Sequence, residues 1–83
     1  MSLFSQTLSA FVQQRQMKIY QLANLSGIER SWLQKMLTGT RKPSDRAQVL
    51  RLAHALSLTH MQTQQLVEAF RILEMGEENW RRR

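Results

Sequence analysis

An all-α fold of five short helices is predicted for this chain by three observations. Apolar residues return at intervals of three and four in five separate stretches, 42% of the 83 residues are hydrophobic, and only three glycines and one proline interrupt them. That composition lacks the turn chemistry a strand-rich fold needs. The length suits one core, so residues 1–83 are read as a single domain.

The first helix is expected from about Leu3 to Gln14, where Phe4, Leu8, Phe11 and Val12 fall at i, i+4, i+7 and i+8. A second is expected from about Ile19 to Leu25 and a third from about Arg30 to Leu37. Between them, Ala23 lies four residues before Gly27: the small residue lets the next helix approach, and the glycine tolerates the positive φ of a tight turn. Ile28, Leu33 and Met36 anchor the third helix, Gly39 stops it, and a loop runs over 38–43. Ser44 is the expected N-cap of a fourth helix carrying Val49, Leu50, Ala53 and Leu56 inward, with Leu58 closing the stripe. Thr59 and Gln62 have capping-box spacing and open a fifth helix, about 60–75, with Leu66, Ala69, Phe70 and Leu73 on one face. Gly76 is expected to end or fray it. Phe4, Phe11, Met36 and Phe70 are assigned to the core. Met61, Ile72, Met75 and Trp80 lie off the fifth helix's main stripe, and they either pack loosely on the same core or form a partner surface.

Several chemistries find no support. There is no cysteine for a disulfide, a thiolate nucleophile or a zinc site. His54 and His60 are six apart and straddle a helix boundary, not the i, i+4 pair of a helical metal site, and no carboxylate pair or Ser-His-Asp spacing stands out. No enzyme activity, catalytic residue, metal or cofactor is therefore expected. With no apolar run of about 18 residues and no signal-peptide pattern, a soluble cytoplasmic protein without a membrane partner is expected. The net charge is +6, and it is unevenly placed. From Arg15 to Arg46, seven basic residues (Arg15, Lys18, Arg30, Lys35, Arg41, Lys42, Arg46) face two acids (Glu29, Asp45), a balance of +5. Beyond residue 73, Glu74, Glu77 and Glu78 balance Arg81, Arg82 and Arg83. A basic patch on a small helical domain suits a phosphate backbone.

Leu22, Ala23, Ser26, Gly27, Ile28, Leu33, Met36, Gly39, Arg41, Lys42, Pro43 and Ser44, with the LAHALSL stretch from Leu52 to Leu58, resemble the helix-turn-helix domains of the phage repressor and Cro class, the xenobiotic-response-element family. The resemblance covers roughly half the chain. It implies a compact five-helix, lambda-repressor-like DNA-binding domain with its helix-turn-helix at about 19–37 and the third helix in the major groove of double-stranded DNA. The implied base contacts are Arg30, Ser31, Gln34 and Lys35: Arg30 as a two-pronged donor to guanine, Lys35 as a point donor, Gln34 as donor and acceptor to adenine. The implied phosphate contacts are Lys18, backbone N–H groups at Ile19 and Tyr20, and Thr38, Arg41 and Lys42. Trp32 falls between the two faces, and packing on the loop at Lys42 and Pro43 is preferred over contact with a thymine methyl. The implied function is transcriptional regulation, as a repressor, by a homodimer on a palindromic site in a bacterial or phage setting, with a C-terminal regulatory domain or a protein partner as an added component. The alternative is a protein-interaction module of the same fold, an adaptor or an antitoxin.

The chain departs from that family's pattern at three places. Where many members carry an Arg–Glu ion pair it has Val12 and Leu37, for which an apolar contact is expected. Lys18 and Ile19 replace a polar cap followed by Gln. Glu29 replaces Ser or Thr before the third helix, where capping is the expected role, with acceptance from cytosine or holding of Arg30 as alternatives.

Overall fold

The computed structural model describes the backbone of residues 2–81 and the side chains of residues 2–75. Five helices follow in order: α1 (Leu3–Gln14), α2 (Ile19–Ser26), α3 (Arg30–Thr38), α4 (Arg46–Ala55) and α5 (His60–Arg81). Helix α5 packs on α1 and α4, α2 packs on α3 and α4, and α1 also packs on α3. Every helix thus gives one apolar stripe to a shared core.

Helix α1 begins at Ser2, whose Oγ accepts the Ser5 N–H at 3.1 Å, while the Ser5 hydroxyl donates to the Ser2 carbonyl at 2.9 Å. That exchange lets Ser5 be buried without an orphan polar group. Phe4, Leu8 and Phe11 face inward, and Phe4 meets Phe70 of α5 edge to face with centroids 6.2 Å apart. Val12 on α1 and Leu37 on α3 are both partly buried against the core. Nearby, the Ser9 hydroxyl reaches the Leu37 carbonyl at 3.4 Å.

Two expectations fail on α4. Val49, Leu52, Ala53 and Leu56 form the buried stripe, whereas Leu50 is 42% exposed. The spacing i, i+3, i+4, i+7 selects Leu52, because Leu50 lies about 100° round the helix from Val49. The N-cap is Asp45, not Ser44: Asp45 Oδ1 accepts the Gln48 N–H at 2.9 Å, and Gln48 Oε1 accepts the Ser44 N–H at 2.9 Å. A carboxylate at that position also complements the helix dipole.

Helix α5 opens on the expected box, with the Thr59 N–H donating to Gln62 Oε1 at 3.0 Å and the Gln62 N–H to Thr59 Oγ1 at 3.1 Å. Arg15 donates to the Ser57 carbonyl at 3.1 Å and to Gln62 Oε1 at 3.2 Å. One member of the basic segment therefore ties the end of α1 to the α4–α5 turn. The helix does not stop at Gly76 but continues to Arg81, since one interior glycine costs only about 1 kcal/mol. The side chains of Glu77, Glu78, Trp80 and Arg81, and all of Arg82 and Arg83, lie outside the described residues. Leu66, Ala69 and Phe70 are buried and Leu73 partly so, while Met61, Ile72 and Met75 are exposed.

Among the described residues, positive φ occurs at Gly27 (72°) and Gly39 (85°), and at Gln16 (52°) and Ser57 (54°). A Cβ on Gly27 would meet nothing within 4 Å, so the demand there is conformational, not spatial. Gly27→Ala is expected to lower the unfolding free energy by about 1 kcal/mol, and Ser57→Gly to raise it by about 1 kcal/mol. Urea unfolding checks both signs. Shifts in the same direction would contradict the backbone account.

Candidate nucleic-acid interface

Helix α3 is oriented by what it buries. Leu33 and Met36 are 0% exposed, and Ile28, just before the helix, is buried with its N–H on the Ser26 hydroxyl at 3.3 Å. Left-handed glycines bracket the element, Gly27 closing α2 and Gly39 closing α3. With Leu33 and Met36 inward, Arg30, Ser31, Gln34, Lys35 and Thr38 fall within an outward arc of about 140°. All five are exposed.

The side chains on that arc differ in readiness. Those of Arg30, Gln34 and Lys35 make no hydrogen bond or ion pair among the described residues, so their donors are open to an incoming ligand. Ser31 donates its hydroxyl proton to Glu29 Oε1 at 2.9 Å, which leaves it acceptor lone pairs only. Glu29 occupies the N-cap position without a side-chain capping bond, contrary to the expected role, and the residue it holds is Ser31, not Arg30. The reason is reach: its carboxylate engages a hydroxyl two residues on instead of folding back on the backbone.

A second group of residues gathers at the far end of α3. The Lys35 carbonyl receives the N–H of Thr40 at 2.8 Å and of Arg41 at 3.2 Å, the capping N–H of Gly39, and the Thr38 hydroxyl at 3.1 Å. Because the Thr38 proton is so used, Thr40 is the donor in the 3.1 Å contact between the two hydroxyls. Thr38 is thus exposed as expected, yet its proton is already engaged. Pro43 is fully buried and pins the loop to the core. Trp32 lies beside this loop, and the contact it makes there is with Arg41, whose guanidinium carbon is 5.2 Å from the ring centroid, where Lys42 and Pro43 were the expected partners. Trp32, Arg41, Lys42 and Pro43 border a concavity of about 410 Å³. The Trp32 indole N–H is buried without an acceptor, so packing and the cation hold the ring, not a hydrogen bond.

At the start of α2, Lys18 is exposed and its N–H is accepted by Gln21 Oε1 at 2.9 Å. Gln21 therefore makes one half of a capping box, while the other half, a side-chain acceptor at the N-cap for a first-turn N–H, is absent because Lys18 has none to offer. Ile19 is partly buried and Tyr20 half-exposed, and the first-turn N–H groups of both lack intrahelical acceptors. Thr40 and the Trp32–Arg41 stack escaped the sequence reading. A ring and a cation nine residues apart across a glycine have no local periodicity to reveal them.

His54 and His60 are exposed, and no cluster of metal-binding side chains occurs among the described residues. None of the described helices is long and apolar enough to cross a membrane. Two short helices meeting at a glycine turn, the second exposing donors suited to base edges, define the helix-turn-helix class of DNA-binding domains. The family model for the Cro/C1-type HTH DNA-binding domain matches residues 7–69, and the chain belongs to that family. No curated protein and no solved structure matches it.

Glu29 is the acid nearest the outward face in sequence, and it opposes phosphate. Glu29→Gln is expected to raise affinity for duplex DNA about threefold at low ionic strength, with the gain fading as salt rises. Fluorescence anisotropy at two salt concentrations checks this, and a loss of affinity would instead mean that the carboxylate makes a contact of its own.

Proposed function

We propose that the chain is a sequence-specific transcriptional repressor domain that lays α3 in the major groove of double-stranded DNA. The observation that carries this reading is the open set of Arg30, Gln34 and Lys35 donors on a helix whose opposite side, Leu33 and Met36, is wholly buried. A helix so fixed presents its donors at constant spacing, which is what reading base edges demands. Arg30 contacts guanine in two-pronged fashion, Gln34 adenine and Lys35 guanine, while Ser31 accepts from a base amino group with the lone pairs Glu29 leaves it. Lys18, the Ile19 and Tyr20 N–H groups, Arg41 and Lys42 hold phosphates, and Thr38 joins them when its hydroxyl or that of Thr40 turns outward.

The same reading includes a homodimer on a palindromic site. Support comes from Leu3 and Ile72, both exposed and lining one groove between α1 and α5 that offers an apolar face to a second copy. The exposed Met61, Ile72 and Met75 also favour a second reading, in which α5 docks a protein partner as in an adaptor or antitoxin.

Selection of bound sites from random duplexes is expected to return a palindrome with half-sites about 10 bp apart. On that site, log K should fall with log salt at a slope of roughly −5, for about three phosphates per monomer. Arg30→Ala should cost about 1–3 kcal/mol per half-site and relax preference at one base pair of each, while Lys18→Ala, lost from both protomers, weakens all sequences alike and reduces the slope by about 2. No enriched sequence, or no salt dependence, would favour the protein-partner reading.

A further inference from the structure

We propose that Trp32 is a positioning residue whose ring holds Arg41 as a preset cation for a backbone phosphodiester, an inference that rests on the DNA-binding reading above. Arg41 is fixed at two points. Its N–H donates to the Lys35 carbonyl at 3.2 Å, and its guanidinium carbon lies 5.2 Å from the Trp32 ring centroid. The platform is backed by the core: Trp32 is partly buried against it, its indole nitrogen is covered, and the neighbouring Pro43 is fully buried. Among the described residues no carboxylate pairs with Arg41.

That combination differs from an ordinary exposed arginine. Pairing with an acid would cancel the charge that a phosphate seeks, whereas an aromatic face leaves the charge whole and the in-plane N–H donors unoccupied. A guanidinium held over a ring has also lost rotamer freedom before the ligand arrives, so less is lost when two parallel N–H···O bonds form to a phosphodiester. Because the Lys35 carbonyl also anchors the loop, the cation sits at a set distance from the α3 side chains. It therefore fixes the register in which α3 enters the groove.

The test measures affinity for a selected duplex, and its salt slope, in the full chain and its variants, with the melting temperature of each. Arg41→Ala, carried by both protomers, is expected to weaken binding about tenfold at low salt and to reduce the slope by about 1.8. Trp32→Phe keeps an aromatic platform of weaker charge attraction, so binding should fall about threefold with the slope unchanged, and the melting temperature should fall by the same few degrees whether or not Arg41 is present. In the Arg41→Ala background, Trp32→Phe should have no further effect on binding. Arg41→Lys leaves Trp32 and the charge in place but removes the two-pronged guanidinium: the slope should persist while affinity drops several-fold. Equal affinity losses from Trp32→Phe with and without Arg41, or full affinity in Arg41→Lys, would overturn the inference while leaving DNA binding intact. An unsubstituted chain that ignores duplex DNA at low salt would remove the underlying reading itself.

Discussion

The complete burial of Leu33 and Met36 is the constraint on which the rest of this molecule depends. A nine-residue helix is too short to persist alone, so α3 exists because its apolar side is held by the core. The same burial sets its rotation. Once two positions three apart point inward, the exposed positions follow from the helical repeat, and Arg30, Gln34 and Lys35 have nowhere to face but outward. Rigidity and display are one event.

The ends of α3 extend that constraint to the backbone. Gly27 and Gly39 both adopt the left-handed conformation, one turning the chain into α3 and the other releasing it into the loop. Beyond Gly39 the Lys35 carbonyl gathers N–H groups from Gly39, Thr40 and Arg41, so the loop is an extension of the helix terminus. Charge then acts on a scaffold already shaped. Of the seven cations between Arg15 and Arg46, Arg15 is bound to the α4–α5 turn, whereas Arg30 and Lys35 stand on the outward arc.

Much of this was legible in the residues because period and punctuation are local. The stripe Phe4, Leu8, Phe11 gave α1, the Thr59–Gln62 spacing gave the reciprocal cap of α5, and Gly27 and Gly39 marked their turns. Two of the errors share a cause, namely competition between nearby candidates that propensity ranks alike. Ser44 and Asp45 both cap well, and the geometry chose Asp45. Leu50 and Leu52 are equally apolar, and the register of α4 chose Leu52. Gly76 resembled a stop, but a helix can run through one glycine. At the candidate site, residue types were readable and proton ownership was not. Whether Ser31 and Thr38 have a free hydroxyl proton depends on Glu29 and the Lys35 carbonyl, which only three-dimensional proximity reveals.

The outward arc of α3, on a helix locked from behind, is proposed to meet the bases. Two-dimensional NMR of the chain titrated with a bound duplex tests this most directly. The largest shifts are expected on the side chains of Arg30, Gln34 and Lys35 and on amides near Tyr20 and Arg41, while the Leu33 and Met36 methyl signals stay in place. Perturbations centred instead on Leu3 and Ile72, with α3 silent, would contradict the proposal.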